Sequence, residues 1–237
     1  MIELCSTCLN REYQLTSTLP YIALTLQARL NVSYNLVLFG EKDHSDTVSF
    51  IKSLNAPRMT IYSHPRNLWF ESICKNIAHL SSSADYVVNL DCDQVITAQD
   101  IDSIDTTTFW HRWSQNGVTA MQDGTFGCMG MPSADFKTLG GYNEQLLPMG
   151  HADKDLLTRW HTVHQKPYVT TLPTINLMAI QNTKEQGIQN INASFKGMNW
   201  LEMNFANAAS AIEQLNRLGP CRTSKANLSV LKLLYSS

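Results

Sequence analysis

Long apolar runs are missing from this chain. No window approaches 18 uninterrupted apolar residues, so no transmembrane helix is expected. The first residues lack the basic, apolar and small-residue segments of a signal peptide, which makes a cytoplasmic location the expectation. Peripheral association with a membrane through a partner stays open. An excess of positive charge is missing too: 18 Lys and Arg against 20 Asp and Glu leave a net charge of -2, which argues against a nucleic-acid partner. Cysteine is sparse, and six in 237 residues are too few for a disulfide scaffold. Cys5 and Cys8 form a CxxC, but no second CxxC or suitably spaced Cys/His pair completes a zinc site, so both are expected as core or loop thiols. There is no internal repeat, low-complexity tract or linker that would split the chain. What remains is 43% hydrophobic and 16% charged, the balance of a soluble globular protein, and the length suits one domain over 1–237.

Short apolar runs with strand character recur at 2–5, 34–39, 59–62 and 86–90. The stretches between them are long enough for crossover helices, expected around 15–30, 46–54 and 69–80, with Pro20 suggesting a late start or a kink in the first. This alternation predicts βαβ units and a mainly parallel, Rossmann-type α/β sheet flanked by helices. Residues 118–121 and 168–175 read as later strands, with Pro173 demoting the second to an edge. Ser133 begins a short helix ending near Gly140-Gly141, and a further helix follows Asp153. Residues 200–218 and the tail 224–235 complete a helical carboxy-terminal segment.

The most informative stretch is 84–96, where an apolar run ends in Asp91-Cys92-Asp93. In an extended strand Asn89, Asp91 and Asp93 share one face, and two carboxylates at a strand's carboxyl end can hold a hard divalent cation and the phosphates bound to it. That end of an open α/β sheet is also where ligands sit. Aspartates here also suit a solvated turn.

Four pieces fall in order: the loop 6–11 after the first strand, Lys75-Asn76-Ile77-Ala78-His79, Asp91-Cys92-Asp93, and Gly140-Gly141-Tyr142-Asn143-Glu144 leading into Gly150-His151-Ala152-Asp153-Lys154-Asp155. Together, over roughly residues 2–159, they resemble GT-A fold nucleotide-sugar-dependent glycosyltransferases, especially family-2-like and galactosyltransferase-like enzymes. The resemblance implies a hexosyl transfer from a nucleoside diphosphate donor, a UDP-sugar, to a glycan or other acceptor hydroxyl. It implies a nucleotide-binding half over 1–97 ending in the DxD, an acceptor and catalytic half over 98–190, and a helical segment over 191–237.

In residues, it implies donor contacts from Thr7, Leu9, Asn10, Arg11, Glu41, Lys75, Asn76, Asn89, Asp91, Gly140 and Gly141. Asp91 and Asp93 would bind Mn²⁺ or Mg²⁺, with Gln181, Asn182 or water as further ligands. Asp153 would be the general base of an inverting transfer, with Asp155 beside it, and Glu144 and His151 would meet the acceptor. This chain departs from the family at Glu41, where the spelling Phe-Gly-Glu-Lys-Asp replaces the usual Val-Asp, and at Ala152, where the galactosyltransferase-like version carries Glu.

Each residue also has a structural reading. Asp153 suits a helix cap, Asp155 an i,i+4 pair with Arg159, and Gly140-Gly141 a helix terminus. Asn76 and His79 share one helix face that solvent would also suit. The stripe containing Trp200, Met203 and Phe205 reads as core packing or as an acceptor-side lid. Asp91-Cys92-Asp93-Gln94-Val95 also satisfies the nucleophile loop of haloacid-dehalogenase-like phosphatases, although about 85 residues precede it where that family's strand opens the domain. A non-catalytic nucleotide- or sugar-binding module is the third alternative.

Overall fold

The computed structural model describes residues 1–112, 127–171, 188–215 and 227–237. Its strands are β1 (Ile2–Cys8), β2 (Val32–Phe39), β3 (Met59–His64), β4 (Tyr86–Asn89), β5 (Trp110–Arg112), β6 (Met129–Pro132), β7 (Val169–Thr171) and β8 (Lys232–Ser236). They form one mixed, mainly parallel sheet in the order β7-β5-β6-β4-β1-β2-β3-β8. β1 pairs in parallel with both β2 and β4, and β2 with β3. β6 and β8 run antiparallel to β4 and β3.

Alternation along the strands feeds two cores. Val32, Tyr34, Leu36 and Leu38 of β2 join one face together with Leu15, Leu19, Ile22 and Leu26 of helix α1 (Glu12–Ala28). Val37 and Phe39 join the other, which is covered by α3 (Glu71–Leu80) and α6 (Ala152–His164). Each fully buried Leu, Ile or Phe on these faces contributes about 1.5–3 kcal/mol relative to exposure. That burial explains why α1 continues past Pro20, where one helical hydrogen bond is forfeited.

The remaining helices are α2 (Ser45–Ser53), α4 (Ala98–Asp102), α5 (Ser133–Thr138) and α7 (Trp200–Leu215). The tail departs from expectation. Residues 228–230 form a short 3-10 turn and residues 232–236 form β8, not a helix, because the open edge of β3 offers backbone partners that an isolated Leu-Leu-Tyr helix would lack. Of the strand expected at 168–175, Val169–Thr171 pairs with β5 at the sheet edge, and the rest lies outside the described residues, as does the strand expected at 118–121. Among the described residues no helix is long and apolar enough to cross a membrane.

Candidate active site

The parallel neighbours β1, β2 and β4 finish at one edge of the sheet, which brings residues 8–11, 40–44 and 90–93 together. β4 stops at Asn89, and Cys92 and Asp93 lie in a turn where the Gln94 amide donates to the Asp91 carbonyl at 2.9 Å. The strand alternation that would have placed Asn89, Asp91 and Asp93 on one side therefore ends at Asn89, before either aspartate is reached. The turn is anchored from below by hydroxyls: Ser6 donates to the Leu90 carbonyl at 2.5 Å, Thr18 to Cys92 at 2.9 Å and Thr25 to Ile96 at 2.8 Å. Asn89 supports it from the side, donating to Asp91 Oδ1 at 3.0 Å and to the Gly127 carbonyl at 2.7 Å.

Asp91 and Asp93 face different cations. Asp93 Oδ2 accepts from Arg11 Nη2 at 2.6 Å, an ion pair partly open to solvent. Asp91 Oδ1 lies 3.5 Å from the ammonium of Lys75, whose side chain is 2% exposed. That ammonium also donates to Glu71 Oε1 at 2.9 Å and to Asp153 Oδ1 at 2.8 Å. Burial alone would push Lys75 down, but Asp153, Asp91 and Glu71 together hold it well above the usual range, so it stays charged. Burial raises Asp153 to about 7 against the pull of Lys75, with Glu71 and Asp91 adding to the rise. Asp91 goes the other way: burial is outweighed by Lys75, the Asn89 bond and Arg11. Asp93 is raised by burial and by Asp91, against Arg11.

The glycine-rich segment is pinned to α3 from below. Asn76, fully buried, donates to the Tyr142 carbonyl and to Glu144 Oε1, both at 2.9 Å, and accepts from the Tyr142 amide at 2.7 Å. Gly141 sits at φ +71°, and a Cβ there would come within 2.4 Å of Asn76 Oδ1, so only glycine fits. Arg159 clamps the same segment through the carbonyls of Leu139 at 3.0 Å and Gly141 at 2.7 Å, while its Nε donates to Asp155 Oδ2 at 2.8 Å. The loop before α6 is held by two further side chains. Glu71 Oε2 accepts from the Gly150 amide at 3.0 Å, and Asn207 of α7 donates to the carbonyls of Gly150 at 2.8 Å and Met149 at 3.0 Å and accepts from the Leu147 amide at 2.6 Å.

No family model matches the chain, and no curated protein matches it in sequence. Solved structures do match in three dimensions. The mannosyltransferase PcManGT from Pyrobaculum calidifontis, solved with GDP-Man and Mn²⁺, superposes with a TM-score of 0.61 at 12% identity, over 92% of this chain and 75% of its own. The catalytic domain of Drosophila β1,4-galactosyltransferase 7, solved with xylobiose, gives 0.53 at 13% identity over 76% and 71%. S. aureus TarS 1-349 with UDP-GlcNAc gives 0.53 at 12% identity over 80% and 64%. The fold is GT-A.

On this GT-A sheet the expected residues separate into two groups. Asn10, Arg11, Glu41, Asp91, Asp93 and Asp153 lie along the carboxyl edge, with Thr7 and Asn89 at the same strand ends but buried, at 6% and 2% exposure. Asn10, at φ +56°, accepts from Lys42 at 3.0 Å and donates to Asn190 at 2.8 Å, and Glu41 is exposed with its amide on Asn67 Oδ1 at 3.0 Å. His151 opens α6 at φ +66° and is partly exposed, with burial lowering its pKa.

The second group faces inward. Leu9 is 3% exposed in the core beside Phe39. Lys75 and Asn76 are buried, at 2% and 0% exposure, and held by protein partners. Glu144 is 2% exposed and accepts from Asn76. Asp155 is 1% exposed and forms the i,i+4 ion pair with Arg159. Gly140 and Gly141, both at positive φ, shape the turn over Asn76.

Three contributors were not foreseen. Glu71 precedes Lys75 by four residues, a spacing that signals a helix pair. Asn207 interrupts an otherwise apolar spacing with Met203 and Ala211, which is a signal of a buried polar anchor. Gly127 carries no sequence signal at all, yet a Cβ there would fall 2.5 Å from Asp91 Oδ2 and 3.1 Å from Asp153 Oδ2.

Asp91 and Asp93 supply hard carboxylate oxygens with part of each side chain open, 29% and 16% exposed, a donor type that suits Mn²⁺ or Mg²⁺. No group of three or more His, Cys, Asp or Glu able to hold a metal occurs among the described residues, and Gln181 and Asn182 lie outside them. A cation on this pair would complete its shell with ligand or water oxygens.

Proposed function

We propose that this protein is a glycosyltransferase that moves a hexosyl group from a nucleoside diphosphate donor, a UDP-sugar, to a glycan or other acceptor hydroxyl with inversion at the anomeric carbon. One observation carries the reading: on a GT-A sheet, Asp91 from the DxD turn and Asp153 from the start of α6 direct their Oδ2 atoms at the same point beside Gly127. Donor-side and acceptor-side carboxylates are thus within one side chain of each other. The fold match favours transfer over the phosphatase alternative.

Asp153 is the general base. It takes the proton of the acceptor hydroxyl as that oxygen attacks the anomeric carbon, and the electron pair of the breaking carbon–oxygen bond leaves with the nucleoside diphosphate. A carboxylate raised to about 7 is matched to this task, because it is basic enough to accept the proton and about half ionised at neutral pH. Asp91 and Asp93 would hold Mn²⁺ or Mg²⁺, which supplies positive charge against the departing diphosphate when bound. Arg11, 2.6 Å from Asp93, keeps a second positive group at the same edge.

The test is a thermal-shift and turnover screen with UDP- and GDP-sugars, with Mn²⁺ or with chelator. A nucleotide that raises the melting temperature only with metal, an effect lost in Asp93→Ala, is expected. Asp153→Asn should keep that shift and lose transfer by about 100-fold or more. Wild-type transfer by Asp153→Asn would remove the base assignment, and no response to any nucleotide would remove the transferase reading.

A further inference from the structure

Lys75 joins the two halves of the cleft. Its ammonium lies 2.8 Å from Asp153 Oδ1, 2.9 Å from Glu71 Oε1 and 3.5 Å from Asp91 Oδ1, with the face of Tyr142 5.5 Å away. An ammonium has three N–H donors, and three carboxylates account for them. At 2% exposure nothing is left to offer a diphosphate.

What Lys75 does to the two aspartates is directional. It contacts both at Oδ1, while both Oδ2 atoms lie near the point a Cβ on Gly127 would occupy. A carboxylate gripped at one oxygen has the direction of its other oxygen fixed. Glu71 closes the arrangement, because it accepts from Lys75 and from the Gly150 amide just ahead of α6, and so ties the ammonium to the loop that carries Asp153.

We propose that Lys75 is a positioning residue for the proton transfer: it holds Asp153 by one oxygen so that the other meets the acceptor hydroxyl, and it couples that oxygen to Asp91 on the donor side. The proposal rests on the transferase reading and departs from a role for Lys75 in donor binding.

The experiment compares the wild type with Lys75→Met, which keeps the length of the side chain and removes its charge. The double variant Lys75→Met/Glu71→Gln is measured beside it, since the single change leaves three carboxylates without their cation and can compromise folding. The side-chain amide introduced by Glu71→Gln keeps an acceptor for the Gly150 amide. Donor affinity is read by calorimetry with UDP- and GDP-sugars plus Mn²⁺, and kcat and KM by turnover. The expected result is a donor Kd and KM within about threefold of wild type and a kcat lower by about 100-fold in whichever variant folds. A donor Kd weakened about tenfold or more, or a kcat within about threefold of wild type, overturns the assignment. A wild-type protein that binds no nucleotide sugar instead sinks the transferase reading, and it is told apart because the failure precedes any substitution.

Discussion

Replacing Asp155 with alanine decides whether this carboxylate serves the fold or the reaction. Asp155 is 1% exposed and Arg159 7%, their ion pair is 2.8 Å long, and the same guanidinium carries the carbonyls of Leu139 and Gly141. Removing one partner of a buried pair strands the other charge, at about 3–5 kcal/mol. At about 2–4 °C per kcal/mol for a domain of this size, Asp155→Ala should melt roughly 6–20 °C below wild type. The double variant Asp155→Ala/Arg159→Met should recover part of that loss, since no charge is stranded. It should not recover all of it, because the two carbonyls lose their donors at about 1 kcal/mol or more each. Thermal melts of both variants, read with kcat at a temperature where each is folded, form the assay. A single variant that melts within about 2 °C of wild type, or that melts normally and loses turnover, would refute the structural assignment.

Gly127→Ala should place a methyl against Asp91, lowering stability by about 1–3 kcal/mol and cutting kcat/KM by about tenfold or more; urea melts and turnover measure both. With Asp153 at about 7, kcat should climb about tenfold from pH 6 to pH 8 and then level, as ionisation completes the base; a flat profile would contradict this. Burial lowers His79 to about 4, so the stability it contributes is present above the ordinary histidine range near 6.5 and is lost as pH falls toward 4. Urea titrations at pH 7 and pH 5 should lose about 2 kcal/mol less in His79→Phe than in wild type. Asn207→Asp, which cannot donate to the carbonyls of Met149 and Gly150, should raise the acceptor KM while donor affinity by calorimetry holds.

Much of residues 1–97 was legible because local and tertiary forces agree there. The runs in β1, β2, β3 and β4 are bounded by polar loops, and the helices between them carry apolar spacings that match the faces they cover. The short tail was not: Leu233, Leu234 and Tyr235 suit a helix or a strand equally, and only the vacant edge of β3 decides. In the candidate site, orientation is harder to read from sequence than place. Asp91 and Asp93 look equivalent in sequence, yet β4 ends before them and each turns to a different cation. Lys75 and Asn76 read as donor contacts through the family resemblance, or as a solvated polar helix face. Their burial follows from Glu71, Asp153 and Tyr142, the last two of which arrive from distant sequence. Gly127 could not have been singled out at all, since its importance lies in the side chain it lacks.

The pairing of β8 with β3 joins residues 60–63 to residues 232–236. The order of synthesis therefore leaves the outer edge of β3 bare while nearly the whole intervening chain is being made. Such a long-range pairing is slow to form, and a bare edge is a template for another copy of the same strand. Ser237 then fastens the closure from its side chain and backbone, through the Ala56 and Met59 carbonyls and the Arg58 and Met59 amides. A chain lacking residues 232–237 should thus self-associate more readily than one that carries them, as light scattering would read, with the cost falling at the sheet edge rather than in the cleft.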